Sequence, residues 1–360
     1  MRTTVASRPH PHRPLLGLVL LLLFVGLAGP TLCGQARRGQ PPEMENFYYE
    51  TWEFDSDRSR TGSASYSIYV PKTHDHEETR RTNRKYPWVL WCPGFGGPDD
   101  FQSRGGARTL DALRTAGKIP EMALVIFRAP GRRSRTTYMN GEGIGDIEDL
   151  LVKDLVATIE KRFRVGGKPQ LRAIMGMSAG GFGALKLALR HPDVFGAVAA
   201  HSSAVLPADP TELEGMAENV VARYLRGGLR EQLGDPIDKD KWAEQMPMGL
   251  IARRTPADLK GLQIYFDAGT DDHYGFFEPN QRLAAAMKKN GHRFVWRPVD
   301  EGGHAWSSRK MLDNLEHSLS FVGKALSGKD AVADHAKAGG AADTGAAETG
   351  AAGKSEGGGK

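Results

Sequence analysis

Leu171–His191, LRAIMGMSAGGFGALKLALRH, decides how this 360-residue chain folds. Leu171–Met175 is a short apolar run, the length and character of a buried strand. Phe182–His191 carries a helix-compatible pattern, FGALKLALRH. Between them Gly176-Met177-Ser178-Ala179-Gly180-Gly181 forms a G-x-S-x-G motif. A strand that turns through such glycines directly into a helix lifts the serine hydroxyl above the sheet edge. It also points the free N–H groups of the helix start at the reacting centre. Ser178 therefore reads as a nucleophile rather than as a turn serine.

Outward from this unit the same alternation repeats. Tyr66, Ile68 and Val70 alternate with small polar residues. Trp88–Cys92, Ala123–Phe127, Ala197–Ala200, Leu262–Phe266 and Phe294–Val299 are further short runs of strand character. Helical patterns lie between them at Leu110–Ala116, Ser178–Arg190, Gln281–Lys289 and Arg309–Leu326. The clearest stripe is Ile147, Leu150, Leu151, Leu155, Val156 and Ile159, at 3.6-residue spacing. Strand–helix alternation predicts an α/β domain: a mostly parallel sheet with helices on both faces. A polar, helix-prone insertion over about 206–258 interrupts the pattern as a cap.

The two ends differ from this domain, which spans 43–326. Arg2, Arg8 and Arg13 precede the apolar run Leu15–Ala28, which Gly29 and Pro30 end. That run is too short for a spanning helix of roughly 20 residues and fits a secretory signal over 1–34. The expectation is a periplasmic or extracellular protein without a stable membrane span. Cys33 raises a lipid-anchored alternative, but bulky Leu32 precedes it. Cys92 lies in an apolar run and reads as a buried hydrophobe. Residues 327–360 hold 10 Ala and 9 Gly and no Phe, Trp or Tyr. Such a segment buries too little apolar surface to offset its chain entropy and is expected to be a disordered tail.

Charge excludes one broad class. The net charge is +5, yet residues 1–40 hold five arginines and no acid. The remaining 43 basic residues are balanced by 43 acidic ones, so no basic surface for nucleic acid is expected. There is no H-E-x-x-H, C-x-x-C or P-loop, so neither a metal nor a nucleotide cofactor is implied. Gly141–Gly145 reads as a flexible loop.

Three further segments carry chemistry. Pro93-Gly94-Phe95-Gly96-Gly97 follows the strand Trp88–Cys92. An acyl-transfer serine needs two N–H donors for the developing oxyanion; Phe95 and Ala179 are the candidates. Glu301-Gly302-Gly303-His304-Ala305-Trp306 follows the last strand, and His304 is the best general base for Ser178. Asp267, Asp271 and Asp272 follow the strand Leu262–Phe266, and spacing alone does not choose the carboxylate that orients the base. Arg128, Arg132, Arg133 and Arg135 cluster after another strand, where they would favour anionic substrates or simply be solvated. Tyr274, Phe276, Phe277 and Trp306 would line an apolar pocket or pack the insertion.

Together these segments resemble the putative-esterase branch of the α/β-hydrolases. That branch includes secreted feruloyl and acetylxylan esterases, S-formylglutathione hydrolases and mycobacterial mycolyltransferases. The resemblance spans about residues 47–325. It rests on SIYVP at Ser67–Pro71, PGFGG at Pro93–Gly97, GMSAGGFGAL at Gly176–Leu185 with HPDVF at His191–Phe195, DAGTDD at Asp267–Asp272 and GGHAW at Gly302–Trp306. Pro93 departs from relatives that carry His or Asp there. The resemblance implies the α/β-hydrolase fold, a cofactor-free serine esterase acting through an acyl-serine, and Asp272 as the acid between Ser178 and His304 in chain order. Small-molecule or polysaccharide-linked feruloyl and acetyl esters are the implied substrates. An acyltransferase with the same triad and a non-catalytic surface binding protein are the competing readings.

Overall fold

The computed structural model describes residues 43–338, other than 75–80, 83, 130–135, 142, 144, 216–228, 305 and 307–308. The expected export segment and the end of the tail lie outside these residues. Eight strands form one sheet: β1 (Phe47–Asp55), β2 (Ser63–Pro71), β3 (Trp88–Cys92), β4 (Ala123–Arg128), β5 (Arg172–Met177), β6 (Ala197–His201), β7 (Gln263–Gly269) and β8 (Val295–Val299). Their spatial order is β1-β2-β4-β3-β5-β6-β7-β8. β1 with β2 and β2 with β4 are antiparallel, and every other pair is parallel. β5 is flanked by β3 and β6, so the serine loop leaves the middle of the parallel part.

The runs look continuously apolar because both sheet faces are covered. Along β3, Trp88, Leu90 and Cys92 enter one apolar layer while Val89 and Trp91 enter the other. In β7, Ile264 and Phe266 face one way and Tyr265 the other. Helices α1 (Gly106–Thr115), α2 (Val156–Phe163), α3 (Ala179–Arg190), α4 (Lys239–Gln245), α5 (Pro247–Arg253), α6 (Phe277–Lys289), α7 (Arg309–Leu326) and α8 (Ala331–Lys337) complete the frame. Residues of α2, α3 and α6 fill the first layer, and residues of α1 and α7 fill the second. Among the described residues, no helix is long and apolar enough to cross a membrane.

The insertion builds a third apolar cluster. Leu206, Leu213, Trp242 and Met246 join Ala179 and Phe182 at the start of α3. The Trp242 indole N–H donates to the Pro207 carbonyl at 2.8 Å. The insertion is therefore a cap over the serine end of the sheet, as its place between β6 and β7 predicts.

Two local expectations change. The helical stripe from Ile147 is α-helical at Ile147–Asp149 and Val156–Phe163 but a π-turn over Leu150–Leu155. Apolar spacing does not distinguish these, since an added residue shifts the stripe without breaking it. The start of the segment expected to be disordered from 327 forms α8, and residues 339–360 lie outside the described residues. The Asp330 carboxylate caps it by accepting the Ala333 N–H, and Ala331 and Val332 are buried in the second layer. Two small apolar residues and one cap hold a segment whose composition reads as disordered.

A buried ionic network anchors α3. Glu148 accepts from Lys186 Nζ (2.5 Å), Arg190 Nε (2.7 Å) and His191 Nε2 (2.7 Å). Burial acts to raise the Glu148 carboxyl, but these hydrogen bonds and the Lys186 charge outweigh it and hold it well below the usual carboxylate range. Burial brings Lys186 down to about 8 against the opposing pull of Glu148. A carboxyl lowered in the folded state stabilises fully above its unfolded value, about 4.3, and loses that contribution as pH falls from there. Glu148→Gln should cost roughly 3–5 kcal/mol at pH 7, because it leaves Lys186 buried without its counter-charge. The gap between the two urea midpoints should narrow from pH 5 to pH 3, and a constant gap would exclude this coupling.

Candidate active site

The turn between β5 and α3 is strained where the motif predicts. Ser178 has φ 58° and ψ −120°, a positive-φ conformation that residues with a side chain rarely adopt. Such geometry costs on the order of 1–3 kcal/mol and persists only where neighbours hold it. The Ser178 N–H donates to the His201 carbonyl at 2.8 Å, and the Ser178 carbonyl accepts from Phe182 (3.0 Å) and Ala204 (3.1 Å). Glycine is required on both sides: a Cβ at Gly176 would collide with the Gly180 carbonyl, and one at Gly180 with the carbonyls of Cys92 and Pro93. Ala179 opens α3, in the first turn, whose N–H groups have no acceptor within the helix.

The Pro93–Gly97 loop lies against this elbow. A Cβ on Gly94 would sit 3.0 Å from the Met177 carbonyl oxygen and 3.2 Å from Ser178 Cβ. The Gly97 N–H donates to the Gly94 carbonyl at 3.1 Å, which places Phe95 at the corner of a tight turn. The Phe95 ring packs against the cap cluster that contains Ala179.

His304 and Asp272 are brought together. His304 Nδ1 lies 2.8 Å from Asp272 Oδ2, and Asp272 Oδ1 accepts the Tyr274 N–H at 2.9 Å. The Asp272 side chain is fully buried, while His304 keeps one-tenth of its side chain exposed. With Nδ1 turned to the carboxylate, Nε2 is the nitrogen left for proton exchange. The ring of Tyr274 stands edge-on to the imidazole at 4.5 Å, and that of Phe276 lies at 5.6 Å. Phe276 belongs to the same apolar cluster as Ala179.

The other two aspartates have different surroundings. Asp271 is exposed, and its backbone N–H ties the loop to the Gly302 carbonyl at 2.8 Å. Asp267 belongs to a second Ser–His–Asp set in the interior. His201 Nδ1 lies 2.7 Å from Asp267 Oδ2, without the alignment of a hydrogen bond, and His201 Nε2 lies 3.0 Å from Ser318 Oγ. His201, Asp267 and Ser318 are each fully buried, so no substrate reaches them. Sequence reasoning missed His201 because a histidine ending a buried strand carries no pattern of its own.

Trp306 is not among the residues lining the cavities of the described residues. It is buried in the second layer beside Trp91 (5.0 Å), His201 (5.6 Å) and Phe101 (6.0 Å). Its large apolar surface is better removed from water there, two residues past His304, where it anchors the histidine loop. Arg132, Arg133 and Arg135 lie outside the described residues. Arg128 donates to Asp99 (3.0 Å) and Ser67 (3.2 Å). A cavity of about 940 Å³ opens beside Asp272, walled by Leu206, Pro207, Met248, Tyr274 and Phe277 with Thr270 among them. That is the size of a small-molecule site.

A mostly parallel sheet, covered on both faces and carrying a strained serine between strand and helix, defines the α/β-hydrolase fold. The model of the family described as putative esterase matches residues 60–311, and the chain belongs to that family. Among curated relatives, the diacylglycerol acyltransferase/mycolyltransferase Ag85A of Mycobacterium ulcerans is 30% identical over 173 residues. The match covers 43% of this chain and 50% of that protein, so the chain spans about half the length of this relative. A ferulic acid esterase structure superposes with TM-score 0.60 at 24% identity, over 78% of this chain and 99% of its own. The S-formylglutathione hydrolase of Agrobacterium tumefaciens does so with TM-score 0.61 at 16% identity, over 80% and 98%. At these identities the structural likenesses establish the fold.

Proposed function

We propose that this chain is an exported serine hydrolase of carboxylic esters, acting on carbohydrate-linked acyl groups such as feruloyl or acetyl. The observation that carries the chemistry is the His304–Asp272 hydrogen bond, with the carboxylate side chain fully buried and the histidine side chain partly exposed. Ser178 Oγ attacks the ester carbonyl carbon as its proton passes to His304 Nε2. Asp272 stays a carboxylate, holding the tautomer and stabilising the imidazolium. The N–H groups of Phe95 and Ala179 receive the oxyanion. The tetrahedral intermediate collapses, His304 returns the proton to the departing alcohol, and an acyl-serine remains. Water then attacks that acyl group with His304 as base, and Ser178 recovers its proton.

Similarity to a ferulic acid esterase and the roomy cavity support the substrate class. Export rests on the basic and apolar N-terminal pattern alone. A fluorophosphonate probe should label Ser178 stoichiometrically, and a panel of feruloyl, acetyl-xylan, short-chain and lipid esters should rank the substrates. Absence of labelling would exclude the serine mechanism and leave the non-catalytic binding reading. The relationship to a mycolyltransferase supports a second reading, in which a sugar or lipid hydroxyl takes the place of water. Added acceptor alcohols would then divert the acyl group from hydrolysis to transfer.

A further inference from the structure

Tyr138 stands outside every motif that points to catalysis, yet it is held from all sides. It is a non-glycine residue at φ 57°, and it is almost fully buried. Its N–H donates to Thr136 Oγ1 at 3.0 Å. Its carbonyl accepts from Lys186 Nζ at 2.5 Å, the same ammonium that pairs with Glu148. Its ring lies against α3 at Gly183, where any Cβ would run into it. Its hydroxyl donates to the Pro93 carbonyl at 2.5 Å. A strained backbone held by a buried ion network and a packed ring is a rigid post, and the hydroxyl is its working end.

That hydroxyl acts on the segment where a small movement matters most. Pro93 has no N–H, so its carbonyl is the one backbone polar group through which the start of the loop can be held there. The next residue, Gly94, packs on Ser178 Cβ, and the residue after that is Phe95. The Pro93 carbonyl also sits over Gly180, in the first turn of α3. We propose that Tyr138 is a positioning residue: by fixing the Pro93 carbonyl, its hydroxyl sets where the Phe95 N–H points relative to Ser178 and α3. This role presupposes the serine mechanism above. Donors aimed in advance at the oxyanion stabilise the transition state more than the bound ester, so loosening them should lower kcat and leave KM alone.

Tyr138→Phe keeps the ring and removes only the hydroxyl. Losing an oxyanion donor outright costs about 10²–10³ in kcat, so a loosened one should cost about 10- to 100-fold. KM for p-nitrophenyl acetate should stay within about twofold, because ground-state contacts are untouched. Affinity for phenylboronic acid, whose serine adduct is tetrahedral, should fall by the same factor as kcat. Amide exchange in the Gly94–Gly97 peptide should accelerate. Gly183→Ala, which displaces the ring but suits a helix, should move all of these in the same direction. If both variants keep kcat, boronate affinity and loop exchange at wild-type levels, the role is overturned; parallel loss of kcat and KM with boronate affinity unchanged overturns it too. Failure of the serine mechanism would show separately, as absent fluorophosphonate labelling of wild-type Ser178. Loop exchange in Tyr138→Phe would still decide whether the hydroxyl holds the loop, and unchanged exchange would overturn it.

Discussion

Ser178→Ala is expected to abolish p-nitrophenyl ester hydrolysis, with kcat lower by about five to six orders of magnitude. The loss is this large because the nucleophile, base and acid work as one unit: without the oxygen, His304 and Asp272 have no proton to move. The variant should fold normally. Alanine keeps the Cβ that Ser178 already carries at φ 58°, and the elbow is held by backbone bonds to His201, Phe182 and Ala204. Stability should therefore stay within about 0.5 kcal/mol, checked by thermal unfolding. Hydrolysis at a substantial fraction of the wild-type rate would remove Ser178 from the mechanism.

The second large effect separates two neighbours. Asp272→Asn should lower kcat by about 10⁴, because the amide no longer enforces the tautomer in which Nε2 accepts the serine proton. Asp271→Asn should leave kcat within about threefold, since its side chain is exposed and its backbone N–H does the tethering. The buried Asp272 carboxylate receives both the imidazole and the Tyr274 N–H. Equal effects from the two substitutions, or the larger one from Asp271→Asn, would reassign the acid.

The elements most legible in the sequence are those whose residues meet a single strong physical demand. β3 and α7 fall at the expected residues because both-face burial demands apolar runs and one-face burial demands a helical stripe. β1 escapes such a reading. It is a sheet edge whose FYYETWEFD mixes exposed charge with half-buried aromatics, so no period emerges. The π-turn within the Ile147 stripe and the small-residue helix α8 leave equally little trace. Trp306 reads as a pocket residue by proximity to His304, and the fold turns it into the core.

The chain by itself determined the class: the order of strands and helices, the serine elbow, the glycine loop and the histidine loop each follow from local sterics or local burial. Only the tertiary structure distinguished Ser178, His304 and Asp272 from Ser318, His201 and Asp267. Both sets bring a serine, an imidazole and a carboxylate into play from distant parts of the chain. In one set Asp272 lines a cavity and His304 keeps part of its side chain exposed, while the other set is sealed among Trp91, Tyr265 and Trp306. Solvent access is a property of how the layers close over a residue, and that depends on contacts across more than a hundred positions rather than on the residues themselves.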